Sequence, residues 1–461
     1  MKLQTSKNAN INYLAKIVDI KSFSKHPNPE VTRMKVAHIG GYSISVGIDE
    51  PEGFYVYFPT MSQINSQMLQ DLNLFSNTEL NKDPEAKPGF FGKNGRVKAI
   101  KLKGYPSEGF LLPYESFNNW VVSVVNKSLP EPKDGLEFDE VEDNGKTFWV
   151  CRKYVVREVS RHPYDKHKSR YDKKLKNFDR LIENQFSFHY ETPQLRKDPT
   201  VIKPNDLIQV SSKWHGTSFI SAYILCNKQL TWKEKIVKWF MDYNFYDYEH
   251  IYASRKVIKN RFINKNSWKQ GYYGSDDFRR LVDEFLRPYM CKGMTIYGEI
   301  VGYTTENKMI QKDFDYGCVP MSIGEAYTEG KHYKIYIYRI TLTNVDGIKY
   351  EFSAREVQNW CKLRGLRPVN ELYYGYAKDL YPELSTTEHW AENFLDKLAN
   401  DKERFWMEER SPECVNNVPH EGIVIRNEDG HSIAVKLKTF KFLNKEQKDL
   451  DSGQTNIEDE S

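Results

Sequence analysis

The sequence contains no apolar run near the ~20 residues that a membrane-spanning helix needs, and its opening MKLQTSKNAN has no apolar core. Neither a span nor a secretory leader is expected, and the expected setting is cytoplasmic, with no membrane partner. Cysteine is sparse. The six residues Cys151, Cys226, Cys291, Cys318, Cys361 and Cys414 are widely scattered with no CxxC pair, which argues against a zinc site or a disulfide framework and fits a reducing compartment. Charge of one sign is also lacking. A formal net charge of +4 does not mark the chain as a nucleic-acid binder, so any basic surface must be local. No internal repeat is evident.

What is present begins with length: 461 residues, enough for two domains or three small ones. Aromatics make up 14%, including 30 tyrosines, which suits base stacking and equally suits a β-rich core. Residues 1–150 alternate as strands around 13–20, 32–39, 42–46, 54–58, 96–102 and 109–113, broken by Gly40-Gly41 and Pro59. About five short strands with long loops predict an OB-like β-barrel domain; another small barrel or sandwich fits the same pattern. Residues 151–175 form a basic linker, part of a stretch from Arg152 to Arg180 with eleven basic and four acidic residues. Such a stretch is usually solvated, and it also offers phosphate contacts. From 176 to 443 strands and helices mix, giving an α+β domain. Helices are expected in 228–247, over Asp276–Arg287 capped by Ser275, after the capping box Ser353-Ala354-Arg355-Glu356, and within 387–405. Residues 444–461 are polar and acidic and read as a disordered tail.

The chemistry is concentrated in short segments. The apolar run Leu207–Val210 and the run Phe219–Leu225 read as strands flanking Lys213-Trp214-His215-Gly216-Thr217-Ser218. A lysine at the tip of a strand–turn–strand, followed by glycine and short hydroxyls, sets an amine where a phosphate can approach. A lone KxxG is most often an ordinary exposed hairpin. Four further segments change the weight: Arg255 ending a strand, Glu299 within YGEIVG, Glu421 opening EGIVIR, and Lys436 and Lys438 in AVKLK. On a strand those two lysines share one face and can converge on one anion. Each glutamate taken singly has a structural salt bridge as its plain reading.

The series KWHG, ASR, YGEIVG, KIYIYRI, EGIVIR and AVKLK resembles the nucleotidyltransferase motifs of the covalent polynucleotide ligase and mRNA capping enzyme superfamily, over about residues 205–440. His215, where DNA ligases and capping enzymes usually carry aspartate, is similar to the nick-sealing RNA ligases. An OB-like module placed first resembles the RNA ligase subgroup with an N-terminal OB domain.

The resemblance implies that Lys213 attacks the α-phosphate of ATP, giving lysyl-AMP, and that AMP then passes to an RNA 5′-phosphate before a 3′-hydroxyl displaces it. Lys213, His215, Glu299, Glu421, Lys436 and Lys438 are the implied catalytic residues. Lys213, Gly216, Arg255, Glu299, Tyr338, Glu421, Lys436 and Lys438 are the implied nucleotide contacts, with Tyr338 stacking on adenine. Glu299 and Glu421 are the implied holders of Mg2+ or Mn2+, through its water shell. A lysine of ordinary pKa ~10.4 is mostly protonated at neutral pH, so Lys213 needs neighbouring positive charge, for which Lys436, Lys438 and the metal are candidates. Tyr336, on the same strand face as Tyr338, is open between buried core and an alternative stacker. Trp214 reads as packing. Arg339 stands where related ligases often have an acid.

The resemblance implies an ATP-dependent RNA ligase, with RNA repair expected and transcript editing left open, and a monomer whose partner is RNA as a nicked duplex or RNA/DNA hybrid. A capping guanylyltransferase or DNA ligase is the nearest enzymatic alternative. A catalytically inactive RNA-binding protein is the alternative from another class.

Overall fold

The computed structural model describes residues 1–7, 9–156, 180–241, 245–259, 273, 275–428 and 433–453. It is a mixed α/β structure of antiparallel sheets and helices. The basic stretch therefore lies largely outside the described residues, from 157 to 179.

In the first 151 residues the alternating segments are strands, at Ala15–Ile20, Met34–Ile39, Tyr42–Gly47, Gly53–Phe58, Ala99–Leu102 and Phe110–Pro113. Their hydrogen bonding is divided among separate small sheets, and among the described residues none closes into a barrel. No strand here exceeds six residues, and Pro59 ends one of them because it has no N–H to donate. A helix without a sequence-based expectation, Tyr114–Val125, buries Phe117, Trp120 and Val121 against a core that includes Val56, Phe58 and Phe138. The i, i+3, i+4 spacing of those three is the helical signal it carries.

The remaining chain builds two sheets over two cores. The larger has seven strands and runs through Tyr246–Ala253, Thr217–Asn227, Met294–Gly302 and Tyr333–Thr343. Helices Asp277–Leu286 and Ala354–Lys362 cover it through Phe278, Val282, Leu286, Val357 and Trp360. Ala354–Lys362 opens on the expected capping box, with the Ser353 and Glu356 side chains each bonding the other's backbone. The smaller sheet runs Glu371–Tyr376, Leu207–Ser212, Gly422–Asn427 and Ala434–Lys438. Helix Trp390–Asn400 packs on it through Phe394, Leu395 and Leu398.

Two expectations are corrected. The strands flanking Lys213 do not pair with each other as a hairpin; Leu207–Ser212 belongs to the smaller sheet and Thr217–Asn227 to the larger. Pairing partners are chosen by tertiary packing, which strand patterns alone do not encode. Residues 444–451 are not a disordered tail but most of the helix Phe440–Asp451. Phe442 and Leu450 are buried, and Gln447 bonds both the N–H and the C=O of Ala99 (2.7 and 2.9 Å). Asp451 meets Arg96 and Lys98 at 2.5 and 3.0 Å. The segment's polarity is spent on contacts with the first 151 residues, so its composition misleads.

Candidate functional site

Because Lys213 lies where the chain crosses from one sheet to the other, its backbone is held from both sides. Its N–H donates to the Gly422 carbonyl at 2.9 Å, and the Ser212 N–H donates to Asn370 at 3.1 Å. The Lys213 ammonium is 2.7 Å from Glu421 Oε1, with the glutamate side chain 1% exposed and the lysine 17%. Lys438 lies 3.5 Å from the same oxygen and also pairs with Glu446 at 2.9 Å. His215 Nδ1 is 3.6 Å from Glu421 Oε2. Glu421 is thus the anion around which Lys213, Lys438 and His215 gather. An anion this deeply buried is retained only with cationic company.

Glycine is required at 216. A Cβ there would lie 2.3 Å from the Ile300 carbonyl oxygen and 2.9 Å from Glu299 Cγ. The close approach lets the Gly216 N–H donate to Glu299 Oε1 at 3.1 Å, and Gln311 donates to the Gly216 carbonyl at 2.5 Å. His215 is fixed by its backbone bonds to the Tyr316 hydroxyl (3.1 and 2.8 Å). The rings of Phe314 and Phe442 stand edge-on to its imidazole at 4.6 and 4.9 Å. Below the turn, fully buried Arg279 donates to Thr217 Oγ1 at 2.7 Å and to Asp276 at 2.6 Å.

Between the two sheets is a cavity of about 160 Å3 lined by Lys213, Arg255, Glu299, Tyr338 and Lys436, all singled out from sequence. Register explains the convergence. Ser218 pairs with Glu299 and Glu299 with Tyr336 across the larger sheet, while Val424 pairs with Lys436 across the smaller. Val435 and Leu437 face the core, which turns Lys436 and Lys438 to the opposite face. Lys438, Glu421 and His215 lie outside that lining, behind Lys213; Lys436, Lys438 and Arg255 also line a smaller cavity toward the N-terminal residues.

Sequence reasoning missed several lining groups: His189, Gln209, Glu351 and Arg426. His189 meets the Tyr338 hydroxyl at 2.8 Å, and Glu191 from the same segment pairs with Arg255 at 2.8 Å. Burial holds the Tyr338 phenol well above its ordinary pKa, with the nearby Glu299 adding to the effect. Arg339 donates to Glu351 at 2.7 Å. His189 and Glu191 enter through the course of residues 180–194 and Glu351 through the larger sheet's edge, where no local motif marks them; Gln209 and Arg426 come from the smaller sheet, Arg426 as the last residue of EGIVIR.

The arrangement provides an aromatic wall at Tyr338 and cations at Lys213, Arg255 and Lys436 around one cavity. Among the described residues there is no group of three or more His, Cys, Asp and Glu side chains suited to a metal.

The fold is similar to that of an RNA ligase from Naegleria gruberi. One variant of that enzyme with ATP and Mn superposes with a TM-score of 0.51 and 15% identity, covering 94% of this chain and 99% of that one. A second variant with ATP and Mn gives 0.51 and 14%, covering 97% and 99%. The same ligase with PPi gives 0.51 and 13%, covering 95% and 100%. At this identity the likeness is one of fold. No protein-family model matches the sequence, and no curated protein does.

Proposed function

We propose that this protein is an ATP-dependent RNA ligase that charges Lys213 with AMP and seals 3′-hydroxyl to 5′-phosphate RNA ends at nicks. The observation that carries the reading is the convergence of Lys213, Arg255, Glu299, Tyr338 and Lys436 on one cavity, in a fold similar to that of a ligase seen with ATP and Mn. ATP and Mg2+ or Mn2+ are the implied co-substrate and metal, and RNA the partner.

In the charging step the Lys213 amine, having lost its proton, forms a P–N bond to the α-phosphorus while the bond to pyrophosphate breaks. Lys436 and Lys438 hold the phosphate oxygens as negative charge develops on them. Tyr338 supports the base, and Arg255 exchanges Glu191 for a phosphate or ribose oxygen. Glu299 and Glu421 would hold the hydrated metal, which neutralises phosphate charge when bound. The ion pair with Glu421 aims Lys213 into position and must open before attack. His215, wedged between two phenylalanines beside Glu421, acts by fixing that carboxylate. In the second step AMP passes to an RNA 5′-phosphate; in the third, a 3′-hydroxyl forms the phosphodiester and releases AMP. Residues 1–150 serve as an OB-like module and 176–443 as the nucleotidyltransferase domain of a monomer working in RNA repair.

The test is incubation with Mg2+ and ATP or GTP labelled at the α-phosphate, for wild type and Lys213→Ala. Label from ATP on wild type alone supports the reading. Label from GTP points to capping chemistry, and no label with active controls points to an inactive RNA-binding protein.

A further inference from the structure

Between the paired strands Thr217–Asn227 and Tyr246–Ala253 the chain inserts the helix Trp232–Met241, WKEKIVKWFM. The site does not use it. From Trp232 to Phe240 no residue is buried, and Trp239, Phe240, Trp232 and Ile236 are 80, 72, 69 and 48% exposed. Large apolar side chains exposed together in this way mark an interaction surface.

Their placement is ordered. At about 100° per residue, Trp239, Trp232, Ile236 and Phe240 fall within an arc of about 100° in that order, Glu234 and Lys238 fall on the opposite side, and Lys235 flanks the arc about 40° beyond Trp239. Lys233 borders the apolar arc, its ammonium 5.6 Å from the Trp232 ring centroid, placed to extend from an apolar layer into a polar one. The helix has three lysines against one glutamate. That glutamate, Glu234, is occupied by Lys228 at 2.6 Å and by Thr231 at 2.8 and 2.9 Å.

We propose that this helix docks on an anionic lipid surface, with Trp232, Ile236, Trp239 and Phe240 entering the headgroup–acyl boundary and the lysines among the headgroups. Tryptophan with phenylalanine on one face and lysine on the other is the composition of an interfacial helix, and the positive charge complements anionic lipid. A second copy packed on the apolar arc would bring Lys233 and Lys235, which flank it, against lysines of the copy. A nucleic acid would use the lysines and the rings but leave Ile236 and Val237 against a polar partner. The helix is far too short to span a bilayer, and no helix among the described residues is long and apolar enough to do so; contact is from one side.

The experiment is co-sedimentation of the full chain with vesicles of phosphatidylcholine alone or mixed with phosphatidylserine. Wild type, Trp232→Ala/Trp239→Ala/Phe240→Ala and Lys233→Glu/Lys235→Glu/Lys238→Glu are compared. Wild type is expected to bind the mixed vesicles about tenfold better than the neutral ones, with high salt releasing it. Both triple variants should lose that binding while keeping the wild-type circular dichroism and Lys213 labelling, since every altered side chain is exposed. No binding to the mixed vesicles, or binding that survives both variants, overturns the proposal. So does loss of dimerisation or of RNA binding in the variants without any vesicle binding in wild type, which would assign the helix to those partners.

Discussion

Trp214 stacks face to face on Tyr336, with ring centroids 3.5 Å apart and planes 16° from parallel. The contact joins the crossing that carries Lys213 to the strand that carries Tyr338. A face of Tyr336 is covered by Trp214, while Tyr338 lines the cavity. Trp214→Ala is expected to lower unfolding free energy by about 3 kcal/mol, measured by urea titration. Tyr338→Phe, which removes only the hydroxyl bond to His189, should cost about 1 kcal/mol.

Glu421 gathers Lys213, Lys438 and His215. Glu421→Gln is nearly isosteric but leaves the two lysines without their anion, at a cost of about 3 kcal/mol. Labelling from ATP should fall at least about tenfold, because the amine is no longer aimed. Wild-type labelling in this variant would remove Glu421 from the charging step.

Gly216→Ala tests the tightness of the turn. The new methyl would meet the Ile300 carbonyl at 2.3 Å, so the turn must move away from Glu299. A stability loss of about 2 kcal/mol together with loss of labelling is the expected result. Substitution at Gly47, where a Cβ would meet only Glu50 Cγ at 4.0 Å, provides the control for labelling.

Acid should loosen the support beneath the turn. Burial pushes the Asp276 carboxyl up, but Arg279 and Lys259 outweigh it and leave its pKa below the ordinary 3.8. A depressed carboxylate contributes stability above its unfolded value that is lost as pH falls through the folded one. Wild type should therefore lose stability progressively below pH 3.8. In Asp276→Asn that part of the slope should vanish, with a deficit of about 3 kcal/mol at neutral pH from the stranded Arg279. Urea titrations across the acid range read both effects; parallel curves for the two proteins would rule out this carboxylate.

The C-terminal helix ties the two ends of the chain together. Arg96→Ala removes one of the two partners of Asp451, and the 444–451 segment should then become several-fold faster in amide hydrogen exchange. Exchange unchanged from wild type would mean that Lys98, the two Gln447–Ala99 bonds and the buried Phe442 and Leu450 suffice to hold the helix.

Much of the site was legible in the chain. Strand alternation and the placement of charged residues picked out Lys213, Arg255, Glu299, Glu421, Lys436 and Lys438, and the motif resemblance added Tyr338 and His215; of these, Lys213, Arg255, Glu299, Tyr338 and Lys436 line one cavity. They were legible because a strand presents alternate residues on one face, so AVKLK shows its two lysines directly. The capping box at Ser353 was legible for the same local reason. His189, Glu191 and Glu351 were not: they reach Tyr338, Arg255 and Arg339 across 149, 64 and 12 residues of chain, and nothing local records such a partner.

The helix Phe440–Asp451 shows the same limit from the other direction. Its polar composition reads as solvated chain, yet Gln447 and Asp451 are the groups that dock it. Local order, the identity of the charged residues and the strand face each occupies were set by the sequence alone, because they depend on backbone periodicity. Which strands pair, that Lys213 sits at a crossing between two sheets, and that Glu421 serves two lysines and a histidine were decided only in the tertiary structure. Those relationships depend on packing between segments far apart in the chain, where burial and the pairing of buried charge select one arrangement among many that the local pattern allows.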